Sequence, residues 1–386
     1  VNLPRIKHGT VAILSIDGGG VRGQIPALIV ADILRRVRFL RTLTGRSSPV
    51  AAHTVFDIFA GTSTGALLTL GLTRPSPLAP EGIAEVYRRR AATIFPVSRF
   101  ASVLAMRQAF GEKYDHHPFE TVMAELFGNI RLSETLANVL VAAYNTDDRG
   151  PFFFKHYTRE TVAGKRRLEA AAAENEDFFL RDVARATAAA PTYFAPAQVT
   201  STAGSRYSLV DGGLVANNPA LSAYVEARKL YRDARRYIIV SIGTGRSGRQ
   251  FPYEAIRKWG YIDWVSPAHG VPVTAMMWDG QSESVAHALK SLPRVEYFRF
   301  NADLGEVSEE MDDARPANMQ RVEALARRII ASRKSDLHRL ARLLYRRGQQ
   351  LAIDCDSGGG ESTAPASPRA RPCVATSSAS GVTRPG

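Results

Sequence analysis

The chain has 386 residues, 45% of them hydrophobic and 23% charged, an ordinary globular composition with apolar material for one large domain or two modest ones. The net charge of +13 points either to an anionic partner, nucleic acid or an anionic membrane, or to a basic surface that is merely solvated, and says nothing about fold. Only Cys355 and Cys373 are present, both near the C-terminus, which excludes a disulfide framework or cysteine metal cluster in the core, and no apolar run approaches the ~18 residues of a membrane span.

The first ten residues, VNLPRIKHGT, lack the apolar core of a signal peptide. The chain opens on Val1 rather than methionine, so removal of an upstream segment, or secretion by a non-standard signal, stays compatible with it. The expected setting is the cytosol or the periphery of a membrane. Residues 11–16 (VAILSI) read as a buried strand running into Asp17 and three glycines. A helix is predicted over 25–40, with arginines on its outer face. A second strand is predicted over 55–59, ending at Gly61, and a helix over 66–72. Further strands are expected at 139–144, 152–156, 207–210 and 237–242, and helices at 81–90, 118–127, 181–189 and 219–232. Residues 315–347 carry a helical apolar stripe through Val322, Leu325, Ile329, Leu337, Leu340 and Leu344. From Ala352 Gly, Ser, Pro, Ala and Thr dominate, a composition that cannot bury a core. The alternation of strands and helices predicts an α/β layered fold. The expected division is an N-terminal extension over 1–9, one catalytic domain over 10–350, and a disordered tail over 351–386.

Three motifs carry chemistry, each after a strand-like run. Gly61-Thr62-Ser63-Thr64-Gly65 is a G-x-S-x-G between strand and helix, the setting of a nucleophile elbow. Its glycines permit a sharp turn that lifts Ser63 to the positive end of a helix. Alone, the pattern is also what a glycine-rich turn looks like. Asp17-Gly18-Gly19-Gly20-Val21-Arg22-Gly23 offers successive backbone N–H groups that suit a phosphate or the oxyanion of a tetrahedral intermediate. It lacks the G-K-[ST] ending of a P-loop and the G-x-G-x-x-G spacing of a dinucleotide fold. Asp211-Gly212-Gly213 follows Leu209-Val210 and suits a carboxylate projected from a strand end, or a plain turn.

Taken together and in this order, the motifs resemble the patatin family, especially its plant-patatin-like branch. The resemblance covers roughly residues 10–335 and includes SIDGGGVRGQIPA, FDIFAGTSTGALLT, GEKYD, ATAAAPTYFAP, LVDGG, VSIGTG and EEMDDARPANM. It implies a three-layer α/β/α sandwich with a mostly parallel central sheet. It makes Ser63 the nucleophile and Asp211 its base, and the amides of Gly18, Gly19 and Gly20 the oxyanion hole, with Arg22 as the basic residue beside it. Gly61 and Gly65 frame the elbow, and Gly212 and Gly213 follow the aspartate. Gly213 stands where some plant patatins carry alanine, a small-for-small change. The activity implied is that of a lipid acyl hydrolase of phospholipase A, lysophospholipase or galactolipase type. It acts through an acyl-enzyme, with no cofactor, no metal and no calcium requirement. The implied partner is membrane or micellar lipid, with anionic lipid favoured by the basic residues of 321–347 and no nucleic acid expected; oligomeric state is not legible. Two other readings stand beside this one. An α/β-hydrolase triad would draw its histidine from His269, His287 or His338. A storage or interaction protein would retain the fold without the activity.

Overall fold

A computed structural model describes residues 9–46, 49–96, 112–158, 176–266 and 271–357. The central strand, β1 (Thr10–Ile16), pairs in parallel with β2 (Ile58–Thr62) on one side and β7 (Arg236–Ile242) on the other. β3 (Asn138–Asn145) continues the parallel sheet beyond β2, and β8 (Val295–Phe300) continues it beyond β7. β4 (Gly150–His156) and β6 (Arg206–Asp211) pair antiparallel with β3, and β5 (Ala197–Thr200) antiparallel with β6.

The described helices are α1 (Gln24–Thr42), α2 (Thr64–Thr73), α3 (Pro80–Ile94), α4 (His117–Phe127), α5 (Leu180–Thr187), α6 (Gly213–Ala216), α7 (Ala220–Leu230), α8 (Tyr253–Ile256), α9 (Tyr261–Val265), α10 (Pro272–Ser291), α11 (Pro316–Ser332) and α12 (Lys334–Ser357). They cover both faces of the sheet, and β1 shows why. Ala12, Leu14 and Ile16 join one core cluster with Ile25, Ile29 and Ile33 of α1 and with Leu325 and Leu340 of α11 and α12. Val11 and Ile13 point the other way and pack with Ala220, Ala223 and Ala227 of α7 and Leu289 of α10. A strand buried on both faces needs apolar residues at nearly every position, which is why VAILSI, with Ser15 as its one polar residue, shows no alternation. The architecture is the α/β/α sandwich with a mostly parallel sheet expected from the sequence.

Several boundaries move. The second strand occupies Ile58–Thr62 rather than 55–59, because residues 52–54 form a 3-10 turn that packs Val55 and Phe56 into the core ahead of the strand. β5, β8 and α10 were not predicted. The six stripe residues of 315–347 are all buried, but the stretch is two helices parted at Arg333. α12 runs on to Ser357, past the boundary expected at 350. The N-terminal extension before Gly9 and the tail from 358 lie outside the described residues, Cys373 among them.

Candidate active site

The sheet register brings two motifs together. β4 pairs with β3 along Val139 to Asn145 and so fills one edge of it. β2, pairing at Asn138 to Ala142, and β6, pairing at Ala143 to Asn145, must therefore share the other edge. β2 runs parallel to β3 and β6 antiparallel, so their C-terminal ends meet. Thr62 lies opposite Ala142 and Asp211 opposite Ala143, which puts Ser63 and Asp211 at the junction.

Ser63 has φ 52° and ψ −123°, a strained conformation for a residue with a side chain. Neighbouring bonds hold it there. Its N–H donates to Thr187 Oγ1 at 2.9 Å, and its carbonyl accepts from Ala66 N–H at 2.9 Å as α2 begins. A Cβ on Gly65 would lie 2.2 Å from the Ile16 carbonyl oxygen, and one on Gly61 2.5 Å from that of Gly65, so both must be glycine for strand and helix to pack this closely.

Asp211 is buried. Its N–H donates to the Ala189 carbonyl at 3.0 Å, and its Oδ1 accepts Gly213 N–H at 2.7 Å. The Ser63 side chain is its neighbour on the cleft wall. Burial pushes the carboxyl up to about 6, against the Gly213 and Ser63 hydrogen bonds that pull it down. Thr187, in the expected helix but given no role there, joins the two halves. Its hydroxyl donates to the Ala142 carbonyl at 2.6 Å while accepting from Ser63, and its carbonyl accepts Gly212 N–H at 3.3 Å.

In the glycine loop the three amides are not equivalent. Gly18 N–H is taken by the Asn217 carbonyl at 3.2 Å, so this amide, expected in the oxyanion hole, is committed to holding the loop. The amides of Gly19 and Gly20 are aimed by what grips the carbonyls of the same peptide units, because C=O and N–H of a trans peptide point opposite ways. Thr244 Oγ1 donates to the Gly18 carbonyl at 2.6 Å, which turns Gly19 N–H the other way. Arg22 Nε donates to the Gly19 carbonyl at 3.2 Å, which does the same for Gly20 N–H. Gly20 has φ +60°, and a Cβ there would lie 2.0 Å from the Met311 carbonyl oxygen. Arg22 is buried, and desolvation lowers it to about 10, which leaves it charged at neutral pH.

Beneath the loop Arg299, on β8, grips Asp17 with two hydrogen bonds of 2.9 and 2.6 Å and donates to Ser241 Oγ at 2.9 Å. This buried fork fixes the end of β1. Nothing in the sequence around Arg299 marked it, since its strand was not predicted.

Ser63, Asp211, Gly19 and Gly20 line one wall of a cleft. Its other walls are largely apolar, built from residues such as Ile83 of α3, Phe119 and Val122 of α4, Leu78 and Phe95 flanking α3, and Phe194 after α5. Among the described residues no histidine lines it. His287 and His338 are exposed, and His269 lies outside the described residues. Among the described residues one group could gather metal ligands, Asp115, His116 and His117. It is largely exposed, and His117 Nδ1 already meets Asp115 Oδ1 at 2.9 Å.

The chain is similar to a family of known proteins. The family described as patatin-like phospholipase matches residues 14–224. Patatin-like protein 2 of Arabidopsis thaliana is 31% identical over 75% of this chain and 74% of its own. Patatin-15 of Solanum tuberosum is 29% identical over 80% of this chain and 81% of its own. Among solved structures, human GIVD cytosolic phospholipase A2 is 13% identical at a TM-score of 0.36, over 87% of this chain and 60% of that one.

Proposed function

The chain belongs to the patatin-like phospholipase family, and on that premise we propose that it hydrolyses fatty-acyl esters of membrane or micellar lipids through a Ser63–Asp211 dyad. One observation carries the reading: a strained serine and a buried carboxylate meet at the wall of a large apolar cleft. Serine is a poor nucleophile without a base in reach, and Asp211 stands where that base is needed. Asp211 takes the proton as Ser63 Oγ attacks the ester carbonyl. The amides of Gly19 and Gly20 receive the oxyanion, and the alcohol leaves with the proton from Asp211. Asp211 next deprotonates a water that attacks the acyl-enzyme, and as the Ser63 Oγ–acyl bond breaks it returns that proton to Ser63 and the fatty acid leaves. Preformed amide donors of this kind are each worth about 3 kcal/mol of barrier. The cleft's apolar walls suit an acyl chain, which loses water contact as it enters.

The test is acyl release from a panel of phospholipids, galactolipids, lysolipids and short-chain p-nitrophenyl esters. Ser63→Ala is expected to lose about two to four orders of magnitude in turnover, and His287→Ala and His338→Ala to stay within a few-fold of the parent. A chelator is expected to change nothing, because groups of the chain meet each charge the reaction develops. A histidine variant as inactive as Ser63→Ala would replace the dyad with a triad. A parent inactive on the whole panel would favour the silent storage or interaction protein.

A further inference from the structure

Seven of the eleven exposed large hydrophobic side chains among the described residues fall between Tyr253 and Met277. Tyr261, Ile262 and Tyr253 are 83%, 77% and 73% exposed, and Val265, Val273, Met276 and Met277 are each more than a third exposed. Scattered apolar side chains on a surface need no explanation, but a cluster does. The chain has three tryptophans, and all three, Trp259, Trp264 and Trp278, lie in the same stretch. Trp259 packs edge-on against Trp264 with ring centroids 5.2 Å apart, and against Phe251 at 5.9 Å. Tyrosine and tryptophan, apolar in body with one polar tip, are the side chains that favour the boundary between water and hydrocarbon.

The stretch is continuous with the cleft. Trp278, next in the chain to the exposed Met277, lines the cleft, and its indole N–H is buried with no acceptor among the described residues. α10 is tied to the residues after Asp211: Gln281 donates to the Leu214 carbonyl at 3.0 Å and accepts from Asn217 N–H at 3.4 Å. The apolar surface outside thus runs into the apolar cleft at Trp278.

We propose that residues 253–266 and 271–278 carry the face on which this protein rests on a lipid surface, inserting Tyr253, Tyr261, Ile262 and Met277 among the head groups so that an acyl ester passes from the bilayer past Trp278 to Ser63. The inference rests on the lipid-hydrolase reading above. It places the contact here rather than on the C-terminal end of the basic helices. Arg347 of α12 donates to the carbonyls of Thr10 and Val55, at the start of β1 and ahead of β2, whereas Ser63 and Asp17 follow the far ends of those strands. Seven residues of strand separate the two ends by about 20 Å. A bilayer seated on that end of α12 would leave the cleft on the wrong side of the molecule.

The tryptophans supply the test, because tryptophan emission, excited apart from that of the 13 tyrosines, reports on this stretch alone. The full chain is mixed with vesicles of phosphatidylcholine, a zwitterionic lipid, with and without bromine-labelled acyl chains. The expected result is cosedimentation with the vesicles, quenching of tryptophan emission by the brominated lipid, and persistence of both in high salt. Replacing Tyr261→Ser, Ile262→Ser and Met277→Ser together is expected to lower vesicle partition about tenfold or more, while short-chain ester turnover and the circular dichroism spectrum stay as in the parent. Cosedimentation without quenching, or binding confined to anionic vesicles and abolished by salt, overturns the proposal in favour of another face. So does a parent that hydrolyses the soluble ester but ignores vesicles, or that pairs with a second copy through this stretch. Loss of soluble-ester activity in the parent would instead bring down the hydrolase reading itself.

Discussion

Asp211 must be ionised to act as a base, and burial lifts its pKa from an ordinary 3.8 to about 6. The log of kcat/KM is therefore expected to climb with unit slope below about pH 6 and to level above it; a profile already flat at pH 5 would show that another group is the base. Stability runs the opposite way. The unfolded carboxyl releases its proton first, so as pH rises from 3.8 to about 6 the folded state loses stability, on the order of 2–3 kcal/mol by neutral pH. Asp211→Asn, inactive but able to keep the Gly213 hydrogen bond, is expected to unfold at higher urea than the parent at pH 7 and to show no such gain at pH 4. Thr244 yields a second prediction. Its hydroxyl turns the Gly18–Gly19 peptide so that Gly19 N–H points away from it, which matters only once an oxyanion forms. Thr244→Val, close in shape, is expected to lower kcat about ten- to a hundred-fold with KM nearly unchanged, while Thr244→Ser restores most of the rate. A variant that raised KM and kept kcat would make Thr244 part of substrate binding instead.

Strands and helices differ in how openly the sequence announces them. β1, β3 and β7 lie in the middle of a sheet covered on both faces, so they must be apolar nearly throughout, and runs such as VAILSI stand out for that reason. β8 pairs with β7 alone and spells VEYFRF, with one charge on each face at Glu296 and Arg299, so it does not read as a buried run. β5 is four residues long and pairs only with β6. α10 was missed because its outer face keeps Val273, Met276 and Met277 where a solvated helix would carry charge, which blurs the amphipathic pattern. The motifs of the candidate site are legible because their constraints are local: Gly61 and Gly65 are fixed by contacts within a few residues or on the adjacent strand. The groups that tune the site were not, because they come from distant parts of the chain. Arg299 reaches Asp17 from the far edge of the sheet, and Thr244 reaches Gly18 from the end of β7. The commitment of Gly18 N–H to Asn217 depends on how two loops cross, which no local pattern encodes.

On the scale of the whole molecule, charge and apolar surface divide the work of reaching a membrane. The net charge of +13 is spread over the chain, and much of the basic cluster of 321–347 is already engaged: Arg327 with Glu323, Arg333 with Asp336, Arg339 with Glu296 and the buried Arg347 with Asp57. Paired or not, these charges contribute to the field that an approaching anionic surface meets, and that field reaches about 30 Å in 0.01 M salt but only about 3 Å in 1 M. Insertion of Tyr261 and Ile262 is a short-range apolar event that salt does not screen. Association with vesicles containing phosphatidylserine, followed by stopped-flow tryptophan quenching, is therefore expected to slow by about tenfold or more between those salt concentrations. The dissociation rate should change by less than about twofold, because the contacts that hold the protein down are apolar. Vesicles of phosphatidylcholine alone should show neither effect. If dissociation from the anionic vesicles quickens with salt as much as association slows, arginines are in close contact with the head groups. The basic helices would then share in holding the protein to the membrane rather than only guiding it there.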